Sequence, residues 1–207
     1  SRFINCTSHH PSTSPAAAPI EASASDSMSS CAHTPRRVAL VNDASGYVGP
    51  ALARELARRG HDLVLGSPSD DLVAELHDLG AAVEAVSGAR NLAKAESAPL
   101  LVDAALGRFG RLDAAAAFSG QIIPGNFMDS SVEDLHRLVE GCIEAPYRFL
   151  KAVAAPMVEQ GGGQIVMITS AAGARPTRGA ALYSSVRAGA TMMAKNLAVE
   201  IARNGVQ

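Results

Sequence analysis

The sequence predicts an α/β fold, a doubly wound parallel sheet flanked by helices on both faces. Three observations carry this. From about residue 37 onward, short apolar runs alternate with stretches of helical periodicity. Gly and Pro fall at the junctions between them, where elements stop and start. The chain has 207 residues, 47% hydrophobic and 18% charged, which suffices for one domain with a full core.

Val38-Ala39-Leu40-Val41 reads as the first buried strand. A helix follows from Pro50 to Arg59, with Pro in a tolerated first-turn position and Gly60 placed to end it. Leu63-Val64-Leu65 is the second strand, Asp70 to Leu79 the next helix with Gly80 as its stop, and Ala82 to Val86 the third strand. A helix over Ala95 to Phe109 leads to a fourth strand, Leu112 to Phe118. Ser130-Ser131-Val132-Glu133 has the Ser-x-x-Glu form of a capping box and opens a long helix that Pro146 is expected to bend. Gly161-Gly162-Gly163 precedes a fifth strand, Gln164 to Thr169, and the last helix runs from Ala180 to about Arg203. Five βα units in this order make a Rossmann-like sheet, whose ligands sit beyond the carboxyl ends of the strands where the strand order reverses.

A formal net charge of −2 leaves no electrostatic footprint for nucleic acid, and no apolar stretch is long enough to span a bilayer. The cysteines, Cys6, Cys31 and Cys142, are odd in number and far apart, so neither a disulfide framework nor a zinc cluster is indicated, and a cytoplasmic setting is expected. The six histidines have no ligand spacing, so no metal is expected. Residues 1–36 form a Ser, Ala, Pro and Thr mixture, read as a disordered tail before a domain at 37–207.

Chemistry is expected at three places: Asn42 to Gly49, Phe118-Ser119-Gly120, and Thr169-Ser170 with the helix that follows. Ser170 is followed thirteen residues later by Tyr183, and Arg187 lies four further on. Residues four apart share one helix face, so Tyr183 and Arg187 point together toward Ser170. A phenol is a poor base at neutral pH, but a fixed guanidinium nearby favours the phenolate. Lys195, twelve residues from Tyr183, suits a solvated face instead.

Ser170, Tyr183 at that separation and the five βα units together resemble the short-chain dehydrogenase/reductase superfamily over Arg37 to Gln207. The superfamily ordinarily has Tyr-x-x-x-Lys and a Thr-Gly-x-x-x-Gly-x-Gly loop. Here Arg187 replaces the Lys, and Asp43 and Tyr47 stand where the first two glycines belong in Asn42-Asp43-Ala44-Ser45-Gly46-Tyr47-Val48-Gly49. Asn-Asn-Ala-Gly becomes Ala117-Phe118-Ser119-Gly120, Cys142 aligns with the catalytic Asn, and the strand ending at Leu65 is followed by Gly66, Ser67 and Pro68 without an acid or an Arg. These departures all weaken the nicotinamide site. A Ser-Tyr-Arg triad with an aromatic residue at Tyr47 resembles the halohydrin (haloalcohol) dehalogenase branch.

That resemblance implies a lyase without a nucleotide cofactor, acting on vicinal haloalcohols to give epoxide and halide ion, or on epoxides in reverse. It implies catalysis by Ser170, Tyr183 and Arg187, with Tyr47, Phe118 and Asn42 around the substrate and halide pocket. It also implies further strands after Gln207 and a homodimer or homotetramer, with no nucleic acid or membrane partner. Two alternatives stand beside it: an oxidoreductase using NAD or NADP, in which Arg187 takes over the ribose-binding work of the Lys, and a non-catalytic relative that keeps only the scaffold.

Overall fold

A computed structural model describes residues 36–207, so the tail expected over residues 1–36 lies, Arg36 apart, outside the described residues. The strands are β1 Arg37–Val41, β2 His61–Gly66, β3 Val83–Val86, β4 Ala114–Ala117 and β5 Gln164–Met167. They form one parallel sheet in the order β3-β2-β1-β4-β5. The helices are α1 Gly49–Arg58, α2 Asp70–Asp78, α3 Ser97–Phe109, α4 Val132–Val139, α5 Ala145–Gln160 and α6 Ala181–Ile201. Among the described residues no helix is long and apolar enough to cross a membrane.

Alternation along β1 sorts the core into two layers. Val38 and Leu40 face one side with Leu101 of α3 and Phe149, Val153 and Met157 of α5. Ala39 and Val41 face the other, with Ala53 and Ala57 of α1 and Leu72 and Leu76 of α2. Each fully buried Leu, Val or Phe contributes about 1.5–3 kcal/mol relative to exposure.

Asp113, just before β4, ties the sheet's centre. Its Oδ2 accepts from the Val38 amide at 2.8 Å, and Arg111 donates to both carboxylate oxygens at 2.7 Å. Burial works against its ionisation, but the Arg111 fork and the Val38 amide together hold the carboxyl below the usual range.

The capping box is shifted by one residue from the expected register. Ser131 is the cap: its Oγ accepts from the Asp134 amide at 3.1 Å, and the Asp134 carboxylate accepts from the Ser131 amide at 3.1 Å. Ser130 is engaged elsewhere, its hydroxyl donating to the Phe127 carbonyl at 2.7 Å. The long helix deforms ahead of Pro146 rather than bending at it, through a π-helical turn over Glu140–Glu144. Pro146 lacks the N–H that would bond the Cys142 carbonyl, and its ring crowds that carbonyl, so the preceding turn widens. Val206 and Gln207 run beside β5, with Gln207 donating to the Gly163 carbonyl at 3.0 Å and accepting from the Ile165 amide at 2.7 Å.

Candidate active site

The sheet order reverses between β1 and β4, so the loops after those two strands part and leave a crevice above their carboxyl ends. A cleft of about 860 Å³ lies there, walled by Asp43, Tyr47, Phe118, Ser170, Tyr183 and Arg187 among others. Its size is that of an ordinary small-molecule site.

Asn42 shapes this cleft without entering it. It is 1% exposed; its amide nitrogen donates to the carbonyls of Arg90 at 3.2 Å and Phe118 at 3.1 Å, and its Oδ1 accepts from the Phe118 amide at 3.1 Å. The expectation that Asn42 lines a substrate or halide pocket is corrected: its side chain is buried, laces together the segments after β1, β3 and β4, and does not line the cleft. Gly49 brings α1 against the same loop, since a Cβ there would overlap the Asp43 carbonyl oxygen.

Tyr47 and Phe118 meet edge to face, with centroids 5.5 Å apart. Tyr47 does not close the cleft, however. Its φ is +54°, in the left-handed region, and the residue is 80% exposed, so the ring stands at the rim. The Asp43 carboxylate is likewise drawn into its own loop: Oδ1 accepts from the Ser45 amide at 2.9 Å and the Ser45 hydroxyl at 2.6 Å.

Across the cleft, Ser170 ends the strand segment and caps a 3-10 turn, its Oγ accepting from the Ala172 amide at 3.2 Å. Tyr183 and Arg187 lie one turn apart on α6, and both are 6% exposed. Arg187 Nε donates to the Tyr183 oxygen at 3.1 Å, one terminal nitrogen donates to the Ser119 carbonyl, and the other is buried without a partner. Because the Tyr183 oxygen accepts that bond, its own O–H is free to aim into the cleft.

Cys142 packs beneath this pair with Leu138, Tyr183 and Val186. Burial pushes its thiol up, which the nearby Arg187 charge and the Gln121 amide only partly offset. It is a small hydrophobe here, not a ligand.

Arg90 is one of the cleft residues that sequence reasoning missed, as are Arg137 and Glu140. Arg90 follows β3, lines the cleft, and donates to the Ser45 hydroxyl at 3.0 Å. No motif marks it; only the parallel register of β2 and β3 carries it to the β1 loop. Lys195 is exposed on α6, in accord with a solvated face. Among the described residues no group of three or more His, Cys, Asp or Glu is placed to hold a metal ion.

Comparison with known proteins gives the family context. Residues 37–207 match the family model described as short chain dehydrogenase. The chain is 31% identical over 175 residues to a 3-oxoacyl-[acyl-carrier-protein] reductase of Synechocystis, covering 82% of this chain and 70% of that protein. It is 30% identical to a 2,5-dichloro-2,5-cyclohexadiene-1,4-diol dehydrogenase of Sphingobium indicum, covering 83% of this chain and 69% of the relative. A 7α-hydroxysteroid dehydrogenase solved with NADH and 7-oxo glycochenodeoxycholic acid superimposes with a TM-score of 0.75 at 24% identity, over 83% of this chain and 68% of that one.

These findings overturn the expectation of a site without a nucleotide. The relatives are named as a reductase and a dehydrogenase, and a solved structure of the same fold carries NADH. The residues present fit a dinucleotide. Tyr47 leaves the cleft open, the Asp43 charge is turned into its loop, and Arg187 keeps one buried nitrogen without an acceptor. The inference from residue type failed because it assumed that side chains in glycine positions fill the space that glycine leaves.

Proposed function

This chain belongs to the short-chain dehydrogenase/reductase family, and from that premise we propose that it is an NAD(P)-dependent oxidoreductase interconverting a hydroxyl and a carbonyl on a small molecule. The observation that carries the reading is the Tyr183–Arg187 hydrogen bond, 3.1 Å long and buried, in the same cleft wall as Ser170. When bound, the nicotinamide accepts or supplies the hydride. The chain's own groups manage the oxygen and its proton.

Ser170 Oγ accepts from Ala172, so its hydroxyl proton is available to the substrate oxygen. Tyr183 faces the same space; it takes the alcohol proton in oxidation and returns one to the nascent alkoxide in reduction. Arg187 is fixed by the Ser119 carbonyl and donates through Nε to the Tyr183 oxygen, which orients the phenol O–H toward the cleft. Its unpartnered nitrogen would take a ribose hydroxyl of the cofactor. The Asp43 to Gly49 loop at the start of α1 would hold the pyrophosphate.

The test is turnover of a panel of secondary alcohols and ketones, followed by the absorbance of reduced nicotinamide. The expected result is turnover that falls by about 10²-fold or more in Y183F, the range of a lost general acid or base. Turnover undiminished in Y183F, or failure of both dinucleotides to bind, would refute the assignment.

A further inference from the structure

The cofactor end of the cleft carries a charge arrangement that the proposed oxidoreductase reading leaves unspecified, and the inference here rests on that reading. In a Rossmann-like sheet, an acid at the end of the second strand grips the two free hydroxyls of the adenosine ribose, whereas an Arg nearby accommodates a 2′-phosphate. Here β2 ends in Gly66, followed by Ser67, Pro68 and Ser69, so no carboxylate occupies that place. A Cβ on Gly66 would lie 3.5 Å from the Arg90 Cα, so Arg90 borders the strand end directly. Ser67 is turned back to the chain after β3, its hydroxyl accepting from the Gly88 amide at 3.2 Å.

Asp43 lines the cleft together with Arg90, and its carboxylate is bound by Ser45. Ser45 donates to Asp43 through its amide and hydroxyl, at 2.9 Å and 2.6 Å, and the same hydroxyl accepts from Arg90 at 3.0 Å. The three residues form a chain, with the carboxylate at one end and the guanidinium at the other. Only one donor of Arg90 is used by Ser45; a guanidinium has five, in a fork that matches phosphate. The backbone of Arg90 is held as well, since its carbonyl accepts from Asn42 at 3.2 Å. Arg90 is thus an anchored cation at the cleft, beside a strand end stripped of acid.

We infer that Arg90 selects the phosphorylated dinucleotide: the enzyme takes NADPH in preference to NADH, with the 2′-phosphate seated against the free donors of Arg90 at the end of β2.

Equilibrium titration of the full chain with NADPH and NADH, read by the fluorescence of the reduced nicotinamide, measures the preference without turnover. Adenosine 2′,5′-bisphosphate and 5′-AMP, titrated by calorimetry, isolate the phosphate alone. The wild type is expected to bind NADPH at least about tenfold tighter, about 1.4 kcal/mol. That preference should shrink as salt rises, because Arg90 is exposed and screened. R90Q should lose at least about fivefold more affinity for NADPH than for NADH, and R90K should restore part of it. Circular dichroism checks that both variants fold. Equal affinity for the two dinucleotides, or equal losses in R90Q, overturns the inference and leaves the oxidoreductase reading standing. Binding of neither dinucleotide overturns both.

Discussion

Replacing the buried Asn42 by an acid separates its architectural role from a ligand-binding one. N42D keeps an oxygen for the Phe118 amide but turns the second oxygen toward the carbonyls of Arg90 and Phe118, which now receive bonds of 3.2 Å and 3.1 Å. The two lost hydrogen bonds are worth about 1 kcal/mol each. The carboxylate left without a cation in a site 1% exposed adds several kcal/mol more, for a total of about 4–6 kcal/mol near neutral pH. N42A removes all three bonds but buries no charge, and about 2–4 kcal/mol is expected. The acid should therefore be worse than the deletion. The pH dependence has a definite sign. The folded protein disfavours the new carboxylate's anion, so its pKa in the folded state lies above the unfolded value of about 3.9. Protonation returns a donor, so the deficit relative to wild type is smallest near pH 4 and grows as pH rises through the folded pKa. Urea unfolding followed by circular dichroism, on both proteins at each pH, gives the difference with other titrations cancelled, provided m is unchanged. N42D as stable as the wild type at neutral pH, or a deficit independent of pH, would refute the reasoning.

Asp113 should show the opposite sign: its carboxyl is held low in the fold, so the stability it contributes is present above the unfolded pKa and is lost as pH falls through the folded one. D113A should cost about 1–3 kcal/mol near neutral pH and flatten the acid limb of the stability profile, as measured by urea unfolding across pH. G49A should destabilise by at least about 2 kcal/mol and weaken dinucleotide binding, because the new Cβ overlaps the Asp43 carbonyl oxygen and must push α1 off its loop; thermal unfolding and the NADPH titration read the two effects.

Elements whose cause is local were legible in the sequence. β1 and β2 are apolar runs, and Gly60 and Gly80 take the positive φ that ends the helices before them. Tyr183 and Arg187 were legible for the same reason, since four residues of helix put both side chains on one face. The capping register was not, because Ser130 and Ser131 offer the same hydroxyl. Only the 3-10 turn at Phe127–Asp129, which engages Ser130, decides between them.

What escaped the sequence was the direction of side chains on irregular backbone. An aromatic ring and a carboxylate in glycine positions read as a filled and repelled phosphate site, yet each is redirected by one local feature. The left-handed φ of Tyr47 sends its ring to the rim against Phe118, and Ser45 folds the Asp43 charge into the loop. A non-glycine residue in that region costs about 1–3 kcal/mol and persists only where its surroundings over-determine it. Here the surroundings are the Asn42 lace below and Gly49 beside it. Arg90 escaped for a different reason. Its partner Ser45 lies 45 residues away in sequence, and nothing but the pairing of β1, β2 and β3 brings them together. The loop carries side chains in glycine positions, but its backbone still leaves an open cleft lined by Arg90, Arg137 and Arg187. Several cations around one open cleft suit the extended anionic ligand proposed above better than a single small anion, which would need one cation and a closed pocket.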